Sequence, residues 1–327
     1  MQRTMPAAVA VAPQVVECHE VPVPEPAFGR VLVRMELASI CGSDLHIVND
    51  GWVVDGWPLE PGRPGHEGVG RVVDGGGTGF SEGELVLTAP NIWESRNFAG
   101  YQLISPRYLV RLPDGVPPEH LLMAQQLGTV IFAAAKLPSL NGETAVVIGQ
   151  GSAGLFHDFW LRRVGAGRII AVEPIRERQE AGLALGVDAV IDVTGRQAVE
   201  AVLDLTNGKG ADLVVEAVGS AGTLDDAIHM ARKLGHIHLF GTPPGAATIT
   251  FDLNAFFLKC LDLRTTFGAQ DEPGLPSFAQ AVQLIAEGAI DMAPYTTHRL
   301  PIERVADAFA LATEPRDGAL KVSVALS

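Results

Sequence analysis

Two short stretches of the chain hold residue types that could do chemistry. The first is Cys41-Gly42-Ser43-Asp44-Leu45-His46, followed further on by Pro64-Gly65-His66-Glu67-Gly68. A thiolate, an imidazole and a carboxylate are the donor types zinc prefers, and separate loops can gather them around an ion while a fourth position stays open. Each has an ordinary reading as well, a lone cysteine being most often a small buried hydrophobe. The second stretch is Val146-Val147-Ile148-Gly149-Gln150-Gly151-Ser152-Ala153-Gly154, with a further apolar run, Ile169-Ile170-Ala171-Val172, ending in the acidic Glu173. A β-branched run that closes in G-x-G-x-x-G and opens into an amphipathic segment has the layout of a dinucleotide-binding βαβ unit. Gly149 would permit the tight turn, Gly151 would let backbone approach a pyrophosphate at the helix N-terminus, and Gly154 would let helix and strand pack closely. Glu173 falls where a carboxylate can accept the hydroxyls of an adenosine ribose.

The elements that must position these residues differ in texture along the chain. Up to about residue 120, short β-branched runs at 31–35, 68–73 and 85–87 alternate with Pro and Gly, which predicts a compact, partly closed β domain. From about 140 to 270 the runs at 145–148, 169–172, 189–191, 213–216, 236–240 and 263–267 read as six strands. Helical segments at 155–164, 176–185 and 223–234 lie between them, so a parallel sheet covered on both faces is expected. The remainder reads as helices at 277–286 and 302–312 and a last strand at 320–326; a lone strand has no partner, so the tail must return to one of the two domains.

Composition bounds the function. The chain has 327 residues, 47% hydrophobic and 19% charged, enough for two well-packed domains. Its 24 Lys and Arg against 38 Asp and Glu give a formal net charge of −14 with no basic cluster, which repels nucleic acid and anionic membranes and points to small-molecule partners. No apolar run reaches the roughly 20 residues needed to span a bilayer, and residues 7–12 are too short and too soon cut by Pro13 to form a secretory core. A cytoplasmic location is expected. Cys18, Cys41 and Cys260 are an odd, sparse set unlike a disulfide framework.

Taken in order, these motifs resemble the zinc-dependent medium-chain dehydrogenases, which include alcohol, sorbitol and threonine dehydrogenases. The resemblance covers almost the whole chain. Besides the stretches above it runs through Phe98-Ala99-Gly100-Tyr101, Leu112-Pro113-Asp114-Gly115-Val116, Glu216-Ala217-Val218-Gly219-Ser220 and Asp317-Gly318-Ala319-Leu320-Lys321-Val322. It implies an α/β fold: a GroES-like β domain plus a Rossmann doubly wound parallel sheet. The GroES-like catalytic domain would span 1–127, completed by 271–327, and the Rossmann domain 128–270. It also implies one catalytic zinc per subunit, with NAD(H) as cofactor and NADP(H) as the alternative. The expected assembly is a homodimer or homotetramer.

Carried over by residue, the likeness makes Cys41 and His66 zinc ligands and Glu67 a neighbouring carboxylate that can enter or leave the shell. Asp44 would orient the His66 ring. Ser43 would bond the substrate hydroxyl and His46 would pass the proton on toward solvent. Thr129 falls beside the nicotinamide and Lys321 near the pyrophosphate. Gly149, Gly151, Ser152, Ala153, Gly154, Glu173, Arg178, Val218, Gly241 and Phe267 complete the implied cofactor surface. The expected reaction moves a hydride between an alcohol or polyol carbon and the nicotinamide, with zinc as Lewis acid.

Two departures stand out. The family often carries a four-cysteine lobe for a structural zinc before the Phe98 block, but residues 88–97 hold no cysteine, so a second zinc is not expected. At Gln125 the family usually places Glu, Asp or Cys as a further ligand, whereas an amide oxygen is a neutral, weaker donor. That substitution leaves a second reading open, a zinc-free or non-catalytic dinucleotide-binding relative acting as a sensor or as a reductase of another bond. Trp52, Trp57, Ile92 and Trp93 could wall an apolar or stacking substrate pocket or simply pack the β domain, and Asn91, Glu94 and Arg96 could equally bond a polyol or sugar. Phe156, His157, Phe159 and Trp160 read as core or interface.

Overall fold

The computed structural model describes residues 3–326 apart from Pro244, Ala246 and Ala247. The chain forms two units, Met1–Thr129 with Gly268–Ser327, and Val130–Phe267. In the first, β1 (Thr4–Ala12) and β2 (Val15–Pro22) make an antiparallel hairpin. Then follow β3 (Val31–Ser39), helix α1 (Gly42–Asp50), β4 (Gly68–Asp74), β5 (Leu85–Thr88), β6 (Tyr101–Ile104), β7 (Leu109–Arg111) and helix α2 (Pro118–Leu122); helix α3 (Ala124–Ala134) comes next. The Cys41 block, expected in a loop, is instead helical: Cys41 is the N-cap of α1, with extended backbone at φ −101°. Gly51 ends the helix in the left-handed conformation at φ 68°.

The second unit alternates strand and helix: β8 (Thr144–Ile148), α4 (Ser152–Arg163), β9 (Arg168–Val172), α5 (Arg176–Ala184), β10 (Ala189–Ile191), α6 (Arg196–Leu205), β11 (Ala211–Glu216), α7 (Ala221–Met230), β12 (Ala231–Leu239), α8 (Leu253–Lys259) and β13 (Asp262–Thr265). Its six strands are parallel in the order β10-β9-β8-β11-β12-β13, that of a doubly wound nucleotide-binding sheet. The apolar runs supply both faces through their period of two. Val146, Ile148, Ile170, Val172 and Val214 enter one core, while Ala145, Val147, Ile169, Ala171, Leu213 and Val215 enter the other.

One expected helix is shorter than its pattern. The run 223–234 was expected to be helical to its end, but α7 stops at Met230 and Leu234 has a left-handed φ of 60°. The cause lies in α8, whose Lys259 ammonium donates to the carbonyls of Ile228, His229 and Ala231 at 3.0, 2.8 and 2.8 Å. A cation that satisfies the last carbonyls of a helix ends it there. Helix α6, which apolar spacing did not single out, fills the crossover between β10 and β11.

The chain then returns to the first unit through α9 (Pro276–Ala286), β14 (His298–Pro301), α10 (Val305–Thr313) and β15 (Val322–Ala325). The expected helix 302–312 begins as a short 3-10 turn at Ile302–Arg304 before α10. The tail brings two strands where one was expected, and they pair in parallel. The resulting seven-stranded sheet runs β14-β15-β3-β4-β5-β7, with β6 also on β3. β3 is its hub, which explains why that strand is buried at almost every position. Phe309 of α10 meets Phe98 edge to face at 5.4 Å and seals the core.

The second unit also buries titratable groups that carry no obvious chemistry. His157 of α4 is fully buried with neither ring nitrogen hydrogen-bonded, and it stacks edge on against His238 and Phe240 at 5.6 and 4.7 Å. Burial, and then the neighbouring His238, hold its imidazole well below the ordinary histidine range; burial likewise pushes His238 down to about 4. On the same helix burial pushes the Asp158 carboxyl well above its usual range. A histidine kept neutral in the fold is protonated in the unfolded chain below about pH 6.5, so its contribution is lost as pH falls through that value, at about 1.4 kcal/mol per pH unit. His157→Leu should therefore lose less stability than the parent between pH 8 and pH 5.5 in urea unfolding. Parallel pH dependences for the two proteins would show that His157 does not carry the acid sensitivity.

Candidate metal centre and glycine loop

In the first unit the metal-ligand types converge. Ligand atoms of Cys41, His66 and Glu67 all lie within 4.8 Å of one another, and this is the one such group of three among the described residues. Asp44, wholly buried, arranges two of them. Its Oδ2 accepts the Cys41 backbone N–H at 2.9 Å, closing the first turn of α1. Its Oδ1 accepts from His66 Nδ1 at 2.9 Å, leaving Nε2 of the ring to face an ion. Burial disfavours charge on His66, but the Asp44 carboxylate and the Cys41 sulfur outweigh it and hold the metal-free imidazole well above its ordinary range.

Glu67 is the third member, buried just before β4. Its Oε2 accepts the Ser39 hydroxyl and the Lys321 ammonium, the latter at 2.6 Å, while Oε1 is buried without a partner. Burial pushes the Glu67 carboxyl up, but Lys321, His66 and Ser39 outweigh it, and the net displacement is downward. Lys321 mirrors this: burial opposes its charge, and Glu67 more than restores it. The lysine assigned by resemblance to the pyrophosphate is thus 3% exposed and committed to Glu67, because β15 runs beside the end of β3 and turns the preceding side chain inward. Sulfur, imidazole nitrogen and one orphaned carboxylate oxygen make a donor set that suits zinc.

Ser43 and His46 stand three apart on α1, so they share a helix face. Ser43 is buried, and His46 Nδ1 donates to Asp50 Oδ2 at 2.7 Å. Gln125 is 3% exposed in the first turn of α3, and Thr129 donates its hydroxyl to the Gln125 backbone carbonyl at 3.0 Å. Trp52, Trp57 and Ile92 belong to the core of this unit, while Trp93 is half exposed. Asn91 bonds Tyr108, Glu94 pairs with Arg30 and Arg107, and Arg96 pairs with Glu60, so each of these polar groups already has a partner within the protein.

In the second unit the glycine loop joins β8 to α4. Gly149 sits at φ 90°, and a Cβ on Gly154 would fall 1.9 Å from the Gly149 carbonyl oxygen, so helix and loop touch only because Gly154 has no side chain. A Cβ on Gly151, the N-cap of α4, would meet nothing within 4 Å. That leaves open space at a helix N-terminus, as a pyrophosphate requires. Ser152 and Ala153 form the first turn. The buried Glu173 carboxylate accepts the backbone N–H of Gln150 at 2.7 Å and of Ile175 at 2.9 Å, and each oxygen keeps a lone pair for a ribose hydroxyl. Glu216 closes the next loop, its Oε1 accepting the N–H of Val218 and of Gly219, both at 2.8 Å. Val218, Gly241 and Phe267 follow the carboxyl ends of β11, β12 and β13, where open parallel sheets bind ligands, and Val218 and Phe267 are half exposed. Arg178 lies half-buried on α5, and Arg176 pairs with Glu180. Of the aromatics on α4, Phe156 and His157 are buried core, and Phe159 and Trp160 are partly buried.

The residues missed from the sequence are Ser39 and, for its contact with Glu67, Lys321. Neither has a spacing signal; only the pairing of β3 with β15 reveals them.

Comparison with known proteins finds two family models along the chain. Residues 28–114 match the alcohol dehydrogenase GroES-like domain, and residues 154–287 match the zinc-binding dehydrogenase domain, together about two thirds of the sequence. An alcohol dehydrogenase of Cupriavidus necator is 26% identical over 99% of both chains. An L-threonine 3-dehydrogenase of Pyrococcus horikoshii is 27% identical over 92% of this chain and 93% of its own. Among solved structures, an alcohol dehydrogenase from Thermus sp. ATN1 superposes with a TM-score of 0.82 at 27% identity, covering 99% of this chain and 100% of that one.

Because Asp44 both closes α1 and orients His66, Asp44→Asn should weaken zinc binding by about 10-fold to 100-fold. It should also flatten the pH dependence of zinc uptake. The raised His66 proton competes with the ion below the folded-state pKa and is released as pH rises through it, and without the Asp44 charge that competition moves to lower pH. Chelator competition at several pH values measures both, and an unchanged profile would remove Asp44 from this role.

Proposed function

The chain belongs to the zinc-type medium-chain dehydrogenases, and on that premise we propose that it oxidises an alcohol or polyol with NAD, and reduces the ketone or aldehyde in reverse, at one zinc per subunit held by Cys41, His66 and Glu67. The single observation that carries this reading is the convergence of one ligand atom from each of those three residues within 4.8 Å, with Glu67 Oε1 buried and unpartnered. It favours the enzyme over a zinc-free or non-catalytic relative, which would have no need to bury such an oxygen. Gln125, buried in the first turn of α3, is the candidate for a further, neutral donor.

When bound, zinc supplies Lewis acidity toward the alcohol oxygen, and the nicotinamide supplies the hydride acceptor. The chain's own residues do the rest. Asp44 fixes the tautomer and plane of His66. The Ser43 hydroxyl receives the alcohol proton and His46 passes it outward. With His46 Nδ1 held by Asp50, Nε2 is the nitrogen that exchanges with solvent. In the second unit Gly151 and the first turn of α4 would hold the pyrophosphate, Val218, Gly241 and Phe267 would border the nicotinamide half, and Glu173 would take the adenosine ribose.

The Glu173 carboxylate repels a 2′-phosphate, whereas Arg178 is the charge that would attract one. Steady-state assays over a panel of alcohols and polyols should give a higher kcat/KM with NAD than with NADP, and activity should fall on chelation and return with zinc. A preference for NADP would reverse the cofactor assignment, and full activity in metal-free protein would sink the zinc assignment.

The assembly is a homo-oligomer formed through the edge of the parallel sheet. Every residue of β13 is exposed, and Leu253, Phe257 and Leu258 of α8 are 65%, 75% and 62% exposed. An unpaired edge beside large apolar side chains is the kind that proteins cover. A second copy suits it because the same edge on both subunits can pair about a two-fold axis. The unpaired thiols of Cys18, Cys41 and Cys260 fit a reducing, cytoplasmic setting, and no helix among the described residues is long and apolar enough to cross a membrane. Light scattering at micromolar concentration should return a dimer or tetramer mass, and Phe257→Glu should lower it; a monomer in the parent would refute the assembly.

A further inference from the structure

We propose that Ser39 is a positioning residue for the metal centre: with the Lys321 ammonium it anchors one oxygen of Glu67, so that the other is presented to the ion as a fixed, one-oxygen ligand. This rests on the reading of Cys41, His66 and Glu67 as the metal ligands. Ser39, Glu67 and Lys321 are 0%, 1% and 3% exposed, so water does not compete for their contacts.

Ser39 grips Glu67 twice. Its backbone N–H donates to the Glu67 carbonyl at 3.1 Å, and its hydroxyl donates to Glu67 Oε2. Lys321 reaches the same Oε2 at 2.6 Å, brought there by the pairing of Ser39 of β3 with Ser323 of β15. Two donors fill the two lone pairs of that oxygen. The carboxylate can then neither roll over to offer Oε2 nor spread both oxygens onto one ion without breaking a hydrogen bond and an ion pair. Oε1 is left buried and without a partner, and a Glu67 carboxylate oxygen lies within 4.8 Å of a Cys41 and a His66 ligand atom, so the free Oε1 is the oxygen available to an ion there. A buried carboxylate oxygen rarely stays unsatisfied, and an ion at this point would complete it. Lys321 supplies charge as well as direction; Ser39 supplies direction alone. The hydroxyl is therefore the part whose removal tests geometry with the net charge of the site unchanged.

The experiment compares zinc-loaded parent and Ser39→Ala by the rate of zinc release to a chromogenic chelator and by the visible spectrum of the cobalt(II)-substituted forms. Ser39→Ala should release zinc about tenfold faster, with a shifted cobalt ligand-field band and a near-parental unfolding midpoint for the metal-free protein. In a Glu67→Ala background the same substitution should add no further acceleration, since there is no carboxylate left to aim. Unchanged or slower release, an unshifted band, or equal acceleration in both backgrounds would overturn the proposal while leaving the zinc site standing. A parent that takes up no zinc would sink the site assignment beneath it and this proposal together.

Discussion

The metal-binding unit hangs on one buried carboxylate. Asp44 has no exposed surface, and its two oxygens join segments separated by the whole loop between α1 and β4. Hydrogen bonds to a charged, desolvated acceptor are each worth about 1.5 to 3 kcal/mol. Here that energy fixes the angle between a helix N-terminus that carries Cys41 and Ser43 and a loop that carries His66 and Glu67. The apolar core around β3 brings these segments near each other. The carboxylate decides which atoms face inward.

The two units solve the problem of buried charge differently. The first pairs opposite charges: Asp44 with His66, Glu67 with Lys321. The second uses backbone. At the carboxyl ends of β9 and β11, Glu173 accepts the N–H groups of Ile175 and of Gln150 in the glycine loop, and Glu216 accepts those of Val218 and Gly219, so the two carboxylates shape the loops at that end of the sheet. Shaping loops at that end of a parallel sheet prepares the crevice in which such sheets hold ligands. The buried His157 and Asp158 of α4 have no comparable partner device, and they are held near neutrality instead.

Much of this was legible in the sequence because it is periodic or local. Alternation along 145–148 and 169–172 assigns each residue to a face, and G-x-G-x-x-G marks the turn by steric necessity at Gly149 and Gly154. The ligand types at Cys41, His66 and Glu67 were readable, and the structure brings those three together. What was not readable depends on pairing between distant segments. Nothing near Leu234 says that α7 must end early, since the cause is the ammonium of Lys259. Nothing near Lys321 says that its side chain turns to Glu67, and a lone serine before Ile40 carries no mark of its hydroxyl bond. The helical form of the Cys41 block is hidden for a related reason: its cap is completed by Asp44, whose other oxygen is taken by the distant His66.

The seven-stranded sheet of the first unit is closed by β15, which reaches β3 only after the entire second unit has intervened in the chain. Closing so long a loop has an entropic cost that local elements do not bear, and contacts of that separation form late. The second unit, made of consecutive crossovers, is contiguous and has no such delay. Lys321 immediately precedes β15, so the cation that neutralises Glu67 is carried by the last strand in the chain. The pairing of β15 with β3 is therefore also what completes the charge balance at Glu67, so the returning tail serves the centre as well as the sheet.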